Sequence, residues 1–287
     1  MTRPTPADSW QLASQLARRL RWTVGSTAQR LGRHAGRRLG SAGEFEGYRP
    51  YEPGDDLAGL DLRAYSRLRQ RLVRVHREDS VVPITLLADR SPSALVPTRQ
   101  RCVAQWLTLL AAIADSAGDP VRRFTFGTGA LRPIPEDAAD GDTPKNTVPA
   151  AAAPSDQREL RSLPPDPHGR GAVILLGDGF GITDPQRELG TLCRVGLPFC
   201  FAFLDDEELA PQVEAQPVTL RSREAEAPWS GQITAATIAE YRQHLQRYHQ
   251  GLQRWLRSQG GDLFVLRTAA SIGAQLEQVA AVGSLLR

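Results

Sequence analysis

Asp89, Ser91 and Ser93 place three side-chain oxygen groups within five residues, directly after an apolar run. The run 84–88 carries no charge and is rich in branched residues, which is typical of a strand buried on both faces of a parallel sheet. Carboxylate and hydroxyl oxygens at this spacing are suitable ligands for a hard cation such as Mg²⁺. Asp and Ser are also ordinary turn formers and helix N-caps, so the stretch taken alone favours a purely structural role.

Two further apolar runs end at acids in the same way. The run 172–176 stops just before Asp178, and the run 198–204 stops at Asp205. In parallel α/β sheets, ligands bind beyond the carboxyl ends of the strands. The three acids are therefore predicted to lie at one edge of a sheet, and this shared placement favours a metal site at Asp89 over a simple turn.

The segments between these runs carry the apolar spacing of helices. Residues 98–117 place Cys102, Trp106 and Ile113 on one face, at separations of four and seven residues. The same spacing predicts further helices over 185–194, 234–258 and 272–286, and short apolar runs predict strands over 121–126 and 263–266. Alternation of buried strands with amphipathic helices predicts an α/β fold of three layers, with a mostly parallel sheet flanked by helices.

The chain divides into three predicted parts. Residues 1–40 are predicted to be a basic helical N-terminal extension, because they hold eight arginines against one acid and contain an amphipathic pattern over 10–31. Residues 41–80 are predicted to contain an ordered loop followed by a strand. Residues 81–287 are predicted to form the α/β domain.

Two segments within these parts have distinctive patterns. Residues 67–77 alternate valine with charge, which predicts a partly exposed strand that pairs antiparallel with 81–93 through a turn at 79–80. Residues 127–171 are rich in Ala, Pro and Asp and lack a periodic pattern. They are predicted to be a flexible insertion, with at most a short helix near 155–163.

The composition excludes several classes of protein. A charged fraction of 23% and a hydrophobic fraction of 41% are typical of a soluble globular protein. No apolar run approaches the length of about 18 residues that spans a bilayer, and the N-terminus lacks the apolar core of a secretory signal. The three cysteines show no CxxC spacing, which predicts a reducing cytoplasm and no zinc site. The chain also lacks a GxxxxGK[ST] phosphate loop and a GxSxG nucleophile turn.

A cluster of acids, aromatics and glycines precedes the first apolar run. It follows closely the pattern EF-x-x-x-R-x-Y-x-x-GDD…ID…AR, and the matching residues are Glu44, Phe45, Arg49, Tyr51, Gly54, Asp55, Asp56, Asp61 and Arg67. This segment resembles the signature of the bacterial domain-of-unknown-function family fifty-eight. The chain departs from the family pattern at Ala58, Leu62 and Ala94, where Arg, Trp and Met are usual.

The stretch from Asp89 to Ser93 is similar to the DxSxS metal-ion-dependent adhesion site of von Willebrand factor type A domains. The resemblance implies a type A-like fold with a site for Mg²⁺, Mn²⁺ or Ca²⁺, whose ligands would be Asp89, Ser91, Ser93 and, as the distal acid, Asp178. The type A site usually adds a threonine from an intermediate loop. In this chain that loop is the segment 127–171, where Thr143 and Thr147 are the candidates.

The resemblance implies a non-enzymatic interaction module that docks partner proteins through the metal site. It further implies a MoxR-type AAA+ ATPase as partner, with the chain acting as an adaptor or chaperone-like protein for an unknown client. Two alternatives stay open. The first is a metal-dependent hydrolase that uses Asp55, Asp56 or Asp205 as extra ligand or base. The second is binding of nucleic acid by the Arg-rich N-terminus.

Overall fold

The computed structural model describes residues 15, 20, 22–23, 44–53, 59–77, 81–135, 158–182, 184–211, 217–220 and 228–286. Contacts divide the chain into two compact units, one formed by 1–28 with 82–287 and the other by 29–81. The predicted helix over 10–31 lies mainly outside the described residues. Within it, Trp22 forms an isolated β-bridge with Leu286, so the helix prediction is wrong at that residue.

The unit 29–81 contains a two-stranded sheet and a short helix. Its elements are β1 (Glu44–Pro50), α1 (Leu62–Leu68) and β2 (Leu72–Arg77). β1 and β2 pair antiparallel, with an irregularity between Phe45 and Gly47. Asp61 caps α1, because its Oδ1 accepts hydrogen bonds from the backbone N–H groups of Arg63 and Ala64 at 2.9 and 3.0 Å.

Three predictions for this unit are wrong. The segment 44–50 is a strand rather than a loop, and it is the partner of β2. The predicted pairing of residues 67–77 with 81–93 does not form, because the strand over 84–89 is bonded on both sides by parallel neighbours. Residues 67 and 68, the start of the predicted strand, instead belong to α1, whose first turn is capped by the Asp61 side chain.

The unit that includes 82–287 is built around a six-stranded sheet. Its elements in chain order are β3 (Ile84–Asp89), α2 (Pro97–Ala117), β4 (Val121–Phe126), β5 (Arg132–Pro133), a 3-10 helix (Arg158–Ser162), β6 (Gly171–Gly177), α3 (Pro185–Leu189), α4 (Leu192–Val195), β7 (Gly196–Leu204), α5 (Asp206–Leu209), β8 (Pro217–Leu220), β9 (Trp229–Gln232), α6 (Ala235–Ser258), β10 (Asp262–Arg267) and α7 (Ile272–Val282). The strand order in the sheet is β10-β7-β6-β3-β4-β5, and only the β4–β5 pair is antiparallel.

Side chains of the central strands alternate between two apolar layers. Leu86 and Ala88 of β3 pack with α2 and α7 on one face, whereas Leu87 packs with α6 on the other. This alternation follows from the two-residue period of a strand. On the first face Trp106 is fully buried, and its indole N–H donates to Gln275 Oε1 at 2.6 Å. The predicted α/β fold, with a mostly parallel sheet covered by helices, is confirmed.

The predicted elements of this unit correspond to observed ones, with differences at several places. The helix predicted over 185–194 is two short helices, α3 and α4. Residues 127–135 and 158–171, at the two ends of the predicted insertion, belong to the fold, and Leu160 and Leu163 are buried there. Residues 136–157 lie outside the described residues. β8 and β9 form an antiparallel pair that the sequence did not predict.

Helix length and polarity bear on membrane insertion. Across the described part of the chain, no helix is both long enough and apolar enough to cross a bilayer. α6 is the longest of the described helices, at 24 residues, and it carries many charged and amide side chains. Its apolar residues instead form a stripe that includes buried Leu245, Leu252 and Leu256.

Candidate metal centre

Asp89 ends β3 at the carboxyl edge of the sheet and is 6% exposed. Glycines on the two flanking strands and loops make room for its carboxylate. A Cβ atom on Gly177 would lie 2.6 Å from Asp89 Cβ, and one on Gly127 would lie 2.6 Å from Asp89 Oδ1. Gly127 also has a φ of +92°, a conformation that favours glycine. The sequence therefore provides a cradle for this one acidic side chain.

The loop after Asp89 is held in a turn by its own hydrogen bonds. Asp89 Oδ1 accepts the backbone N–H of Ser91 at 2.8 Å, and the backbone N–H of Ala94 donates to Ser91 O at 3.0 Å. The Arg90 N–H is bonded to Phe126 O on the neighbouring strand β4 at 2.7 Å. As a result the hydroxyl oxygens of Ser91 and Ser93 lie 3.2 Å apart.

Asp178 follows β6, the strand adjacent to β3, and is 1% exposed. Its Oδ1 accepts the backbone N–H of Phe180 at 3.0 Å. Helix α6 supports the same loop, because the Tyr248 hydroxyl lies within hydrogen-bonding reach of the carbonyl oxygens of Gly179 and Ile182. Burial, followed by nearby negative charge, raises the pKa of Tyr248, so this hydroxyl stays protonated and can donate a hydrogen bond.

Arg99 is the important residue of this site that sequence reasoning missed. It lies in the first turn of α2, is 1% exposed, and every guanidinium nitrogen has an acceptor. Its Nε donates to Phe203 O at 2.7 Å, its Nη1 to Ser93 O at 2.5 Å, and its Nη2 to the two carboxylate oxygens of Glu208 at 2.7 and 2.6 Å. Its Nη1 also lies 3.4 Å from Asp178 Oδ2.

Arg99 therefore connects four parts of this edge. They are the loop that carries Ser91 and Ser93 (the serine loop), the end of β7, the loop that begins at Asp178, and α5. A signal for this burial was present in the sequence. Arg99 precedes Cys102, Val103 and Trp106 by three, four and seven residues, so it belongs to the buried stripe of the helix rather than to its solvent face.

Asp205 has a structural role at the same edge. It is the N-cap of α5, and its Oδ1 accepts hydrogen bonds from the hydroxyls of Thr98, at 3.0 Å, and Thr268. The side chain of Glu208 in turn accepts the backbone N–H of Asp205 at 2.8 Å, which completes a capping box. These contacts occupy the Asp205 carboxylate, which the sequence predicts to lie at the same edge of the sheet as Asp89 and Asp178.

Charged side chains meet at this edge of the sheet. Asp178 and Glu208 pair with Arg99, which is the only fully buried cation among the described residues. Buried Asp89 lies at the same edge next to half-buried Arg90, whose pKa is lowered by desolvation. The pKa of the fully buried Cys200 thiol is raised to about 12, first by burial and then by the negative charges of Asp178 and Asp89.

The residues can be compared with what a divalent cation requires. Two ligands at right angles around Mg²⁺, each about 2.1 Å from the ion, lie about 3.0 Å apart. The 3.2 Å between Ser91 Oγ and Ser93 Oγ fits this requirement, and Asp89 supplies a charged oxygen on the same loop. Among the described residues, no group of three or more His, Cys, Asp or Glu side chains is placed to hold a metal, so a cation here depends on the two serine hydroxyls.

The serine loop meets the requirements of a divalent cation well, whereas Asp178, the proposed distal acid, meets them less well. Asp178 is paired with Arg99, so part of its charge is already neutralised. Thr143 and Thr147, the candidates for the threonine ligand, lie outside the described residues. The set that the structure brings together is therefore Asp89, Ser91 and Ser93.

Residues of the upstream signature occupy the other unit and have structural contacts there. Glu44, Phe45 and Arg49 lie on β1, and the Tyr51 backbone N–H donates to Arg71 O at 2.8 Å. Asp61 caps α1 and accepts the Tyr48 hydroxyl at 2.9 Å, and Arg67 is exposed on the same helix. Gly54, Asp55 and Asp56 lie outside the described residues.

Comparisons with known proteins do not assign this chain to a family. No family model, no curated protein and no solved structure matches this chain. The interpretation of the site therefore depends on its geometry and on the resemblance of its sequence motifs.

Replacing Gly177 by alanine is expected to disturb the position of Asp89. The added Cβ would overlap the Asp89 side chain between two central strands, so we expect a loss of about 1–3 kcal/mol in the free energy of unfolding. Chemical denaturation followed by circular dichroism measures this change. The matched control is Gly251→Ala in α6, which has nothing within 4 Å and should stabilise by about 0.5–1 kcal/mol. Similar behaviour of the two variants would contradict the cradle around Asp89.

Proposed function

We propose that this chain binds a divalent cation through Asp89, Ser91 and Ser93 and uses it to hold a carboxylate of a partner protein. The observation that carries the proposal is the hydrogen-bonded turn that places the two serine hydroxyls 3.2 Å apart, directly after a buried carboxylate. Hard oxygen ligands of this kind select Mg²⁺, Mn²⁺ or Ca²⁺ over softer metals.

The chain's own residues prepare the site in three ways. Asp89 contributes a buried negative charge whose position is fixed by the glycine cradle. Ser91 and Ser93 add neutral oxygens, so the site keeps a net positive charge once a divalent ion is bound. That ion supplies a concentrated charge that an incoming carboxylate can approach. Arg99 fixes the serine loop through its hydrogen bond to Ser93 O. The loop therefore rearranges little when a partner docks, which lowers the free-energy cost of docking.

The fold family and the partner in this proposal depend on the resemblance of the sequence motifs to known families. The position of the serine loop, after a central parallel strand and before a long helix, is the one that a von Willebrand factor type A-like fold would give it. We include in the proposal a MoxR-type AAA+ ATPase as partner, with the chain as a non-enzymatic adaptor for a client protein. A cytoplasmic location is also part of it, supported by the three free cysteines Cys102, Cys193 and Cys200.

The two alternative functions have no specific structural support. A hydrolase would need a free base beside the site, but Asp205 is engaged by two threonine hydroxyls. Asp55 and Asp56 lie outside the described residues. The arginine-rich stretch 1–40 is described only at residues 15, 20 and 22–23, so it adds no observation in favour of nucleic-acid binding.

The proposal can be tested with Mn²⁺ as the probe ion and acetate as a minimal carboxylate. Protein-bound Mn²⁺ that keeps water in open coordination positions enhances the relaxation of water protons. We expect this enhancement for the wild-type chain, and we expect acetate to reduce it by displacing water. The double variant Ser91→Ala with Ser93→Ala should bind Mn²⁺ about tenfold more weakly or worse, because two ligands are lost.

Ser258→Ala is the matched control, since this serine lies at the exposed end of α6. Equal Mn²⁺ affinity in the double variant and the control would contradict the site. Enhancement that acetate leaves unchanged would contradict the docking role. Mn²⁺-dependent turnover of p-nitrophenyl phosphate, lost in the double variant, would favour the hydrolase instead.

A further inference from the structure

A cavity of about 290 Å³ lies between helix α6 and strand β10, the strand at one end of the six-stranded sheet. Its volume is close to the lower end of the range of ligand pockets, about 300–1,000 Å³. The described residues that line it all belong to the unit that includes 82–287, and none of them belongs to the serine loop. We call it the α6–β10 cavity.

Four of the side chains that line the α6–β10 cavity are aliphatic. They are Leu209 of α5, Leu245 of α6, and Leu263 and Val265 of β10. Leu245 and Leu263 are buried, whereas Leu209 and Val265 keep part of their surface exposed. An apolar group that covers this remaining surface gains free energy in proportion to the area removed from water. The aliphatic side chains therefore favour a ligand with an apolar part.

The other side chains that line the cavity come from α6 and are polar. Arg242 is the one charged residue among the described lining residues, and Gln246 and Gln250 present amide groups. Among the residues that the structure describes, none forms an ion pair with Arg242. Asp262, the acid at the start of β10, is already paired with Arg257 at 3.0 Å. A guanidinium and amide N–H groups are the donors that a carboxylate accepts, so the polar side of the cavity favours an anionic head group.

His249 adds a polar atom that lacks a partner. It lies on α6, seven residues after Arg242, and lines the same cavity. Its Nε2 is buried and has no hydrogen-bond partner in the part of the chain that the structure describes. Burial lowers the pKa of His249, so its imidazole is neutral at pH 7 and does not add charge. Because a buried polar atom without a partner costs free energy, the ring gains by turning toward a ligand oxygen in the cavity.

The outer edge of β10 bears on the size of the ligand. Gln278 Nε2 donates a hydrogen bond to Val265 O at 2.9 Å, and Gln275 Nε2 donates one to Arg267 O at 2.8 Å. A peptide that added itself to β10 as a further strand would have to replace these side-chain bonds. A compact molecule needs only the side chains of the cavity and leaves the strand edge as it is, so it fits better than a peptide.

We propose that the α6–β10 cavity binds a small carboxylic acid that carries an aliphatic chain. Arg242, Gln246 and His249 would contact its carboxylate, and the chain would cover Leu263 and Val265. This proposal goes beyond the cation site and does not depend on it. An amine fits less well, because the described lining residues include a cation and no acid.

The test compares three probes of equal chain length on the full chain, in NMR titrations that follow the ligand signals. Octanoate carries a negative head group, octan-1-ol a neutral one and octylammonium a positive one. We expect octanoate to saturate a single site and octan-1-ol to bind about tenfold more weakly, because the charge-assisted bonds to Arg242 are lost. Octylammonium should not bind, since its charge has the same sign as that of Arg242.

Two variants locate the binding in the cavity. Arg242→Gln should bind octanoate about tenfold more weakly and octan-1-ol as the wild type does. Arg254→Gln is the matched control, because Arg254 is another exposed arginine of α6 and is not among the lining residues. Val265→Phe should weaken both ligands, since the larger side chain takes up part of the cavity. Circular dichroism establishes that each variant remains folded.

Several results would overturn the proposal. The first is an absence of saturable octanoate binding by the wild type. The second is equal octanoate affinity in Arg242→Gln and Arg254→Gln, which would remove the role of Arg242. Octylammonium that binds as tightly as octanoate would contradict the choice of an anionic ligand. Octanoate binding that Val265→Phe leaves unchanged would put the ligand outside the cavity.

Discussion

Replacement of Arg99 by methionine should lower the free energy of unfolding by about 3–5 kcal/mol, the cost typical of breaking a buried ion pair by removal of one partner. Methionine keeps much of the length and apolar contact of arginine, so the loss is chiefly electrostatic. Without the guanidinium, Asp178 is a buried acid without its ion-pair partner, and the carbonyl oxygens of Ser93 and Phe203 lose a donor. Urea denaturation followed by circular dichroism measures the change.

A matched control exists at the surface. Arg267 pairs with Asp206 at 2.7 Å, but both side chains are about half exposed or more. Arg267→Met should therefore change stability only slightly, because solvent already screens that pair. A further variant, Asp178→Asn in the Arg99→Met background, should recover part of the loss by removing the uncompensated charge. An Arg99→Met protein as stable as Arg267→Met would contradict the role of Arg99 at this edge.

Divalent cations should stabilise the wild-type chain and leave Asp89→Ala unchanged. A ligand that binds only the folded state adds about 2.7 kcal/mol to the free energy of unfolding when its free concentration is about 100 times its Kd. Mg²⁺ should therefore raise the thermal midpoint of the wild type in a concentration-dependent way. Loss of the charged ligand Asp89 removes the site and with it this dependence. Differential scanning calorimetry at constant ionic strength measures the effect.

Glu207→Gln is the control for this second prediction. Glu207 is an exposed acid in α5, near the same edge, and is not among the proposed ligands. Its replacement should leave the response to Mg²⁺ intact. If Glu207→Gln lost the response while Asp89→Ala kept it, the cation would bind to the exposed acids and not to the serine loop.

Local patterns in the sequence were sufficient to predict the central part of the fold. The runs that became β3, β6 and β7 are buried on both faces, as expected for apolar runs that carry no charge before the acid that follows them. The acids that end them were placed correctly at one edge, since parallel strands bring their carboxyl ends together. Ser91 and Ser93 could be proposed as a pair from spacing alone, but their 3.2 Å separation depends on a bond to Asp89 and on contacts with β4.

Features that depend on distant residues were not predicted. Arg99 is buried because Phe203 and Glu208, more than 100 residues away, supply acceptors for its guanidinium. No local pattern shows that a charged residue will find such partners. β1 was read as a loop because its short polar segment gains its extended form only by pairing with β2. The engagement of the Asp205 carboxylate likewise depends on the hydroxyls of Thr98 in α2 and of Thr268, which directly follows β10.

The most direct test of the central claim is a calorimetric titration of Mg²⁺ into the wild-type chain and into Asp89→Ala. The two proteins are compared at the same ionic strength and after circular dichroism has established that both are folded. The site proposed at Asp89, Ser91 and Ser93 predicts a binding heat with a single saturable site for the wild type and none for the variant. Equal heats from the two proteins would contradict it.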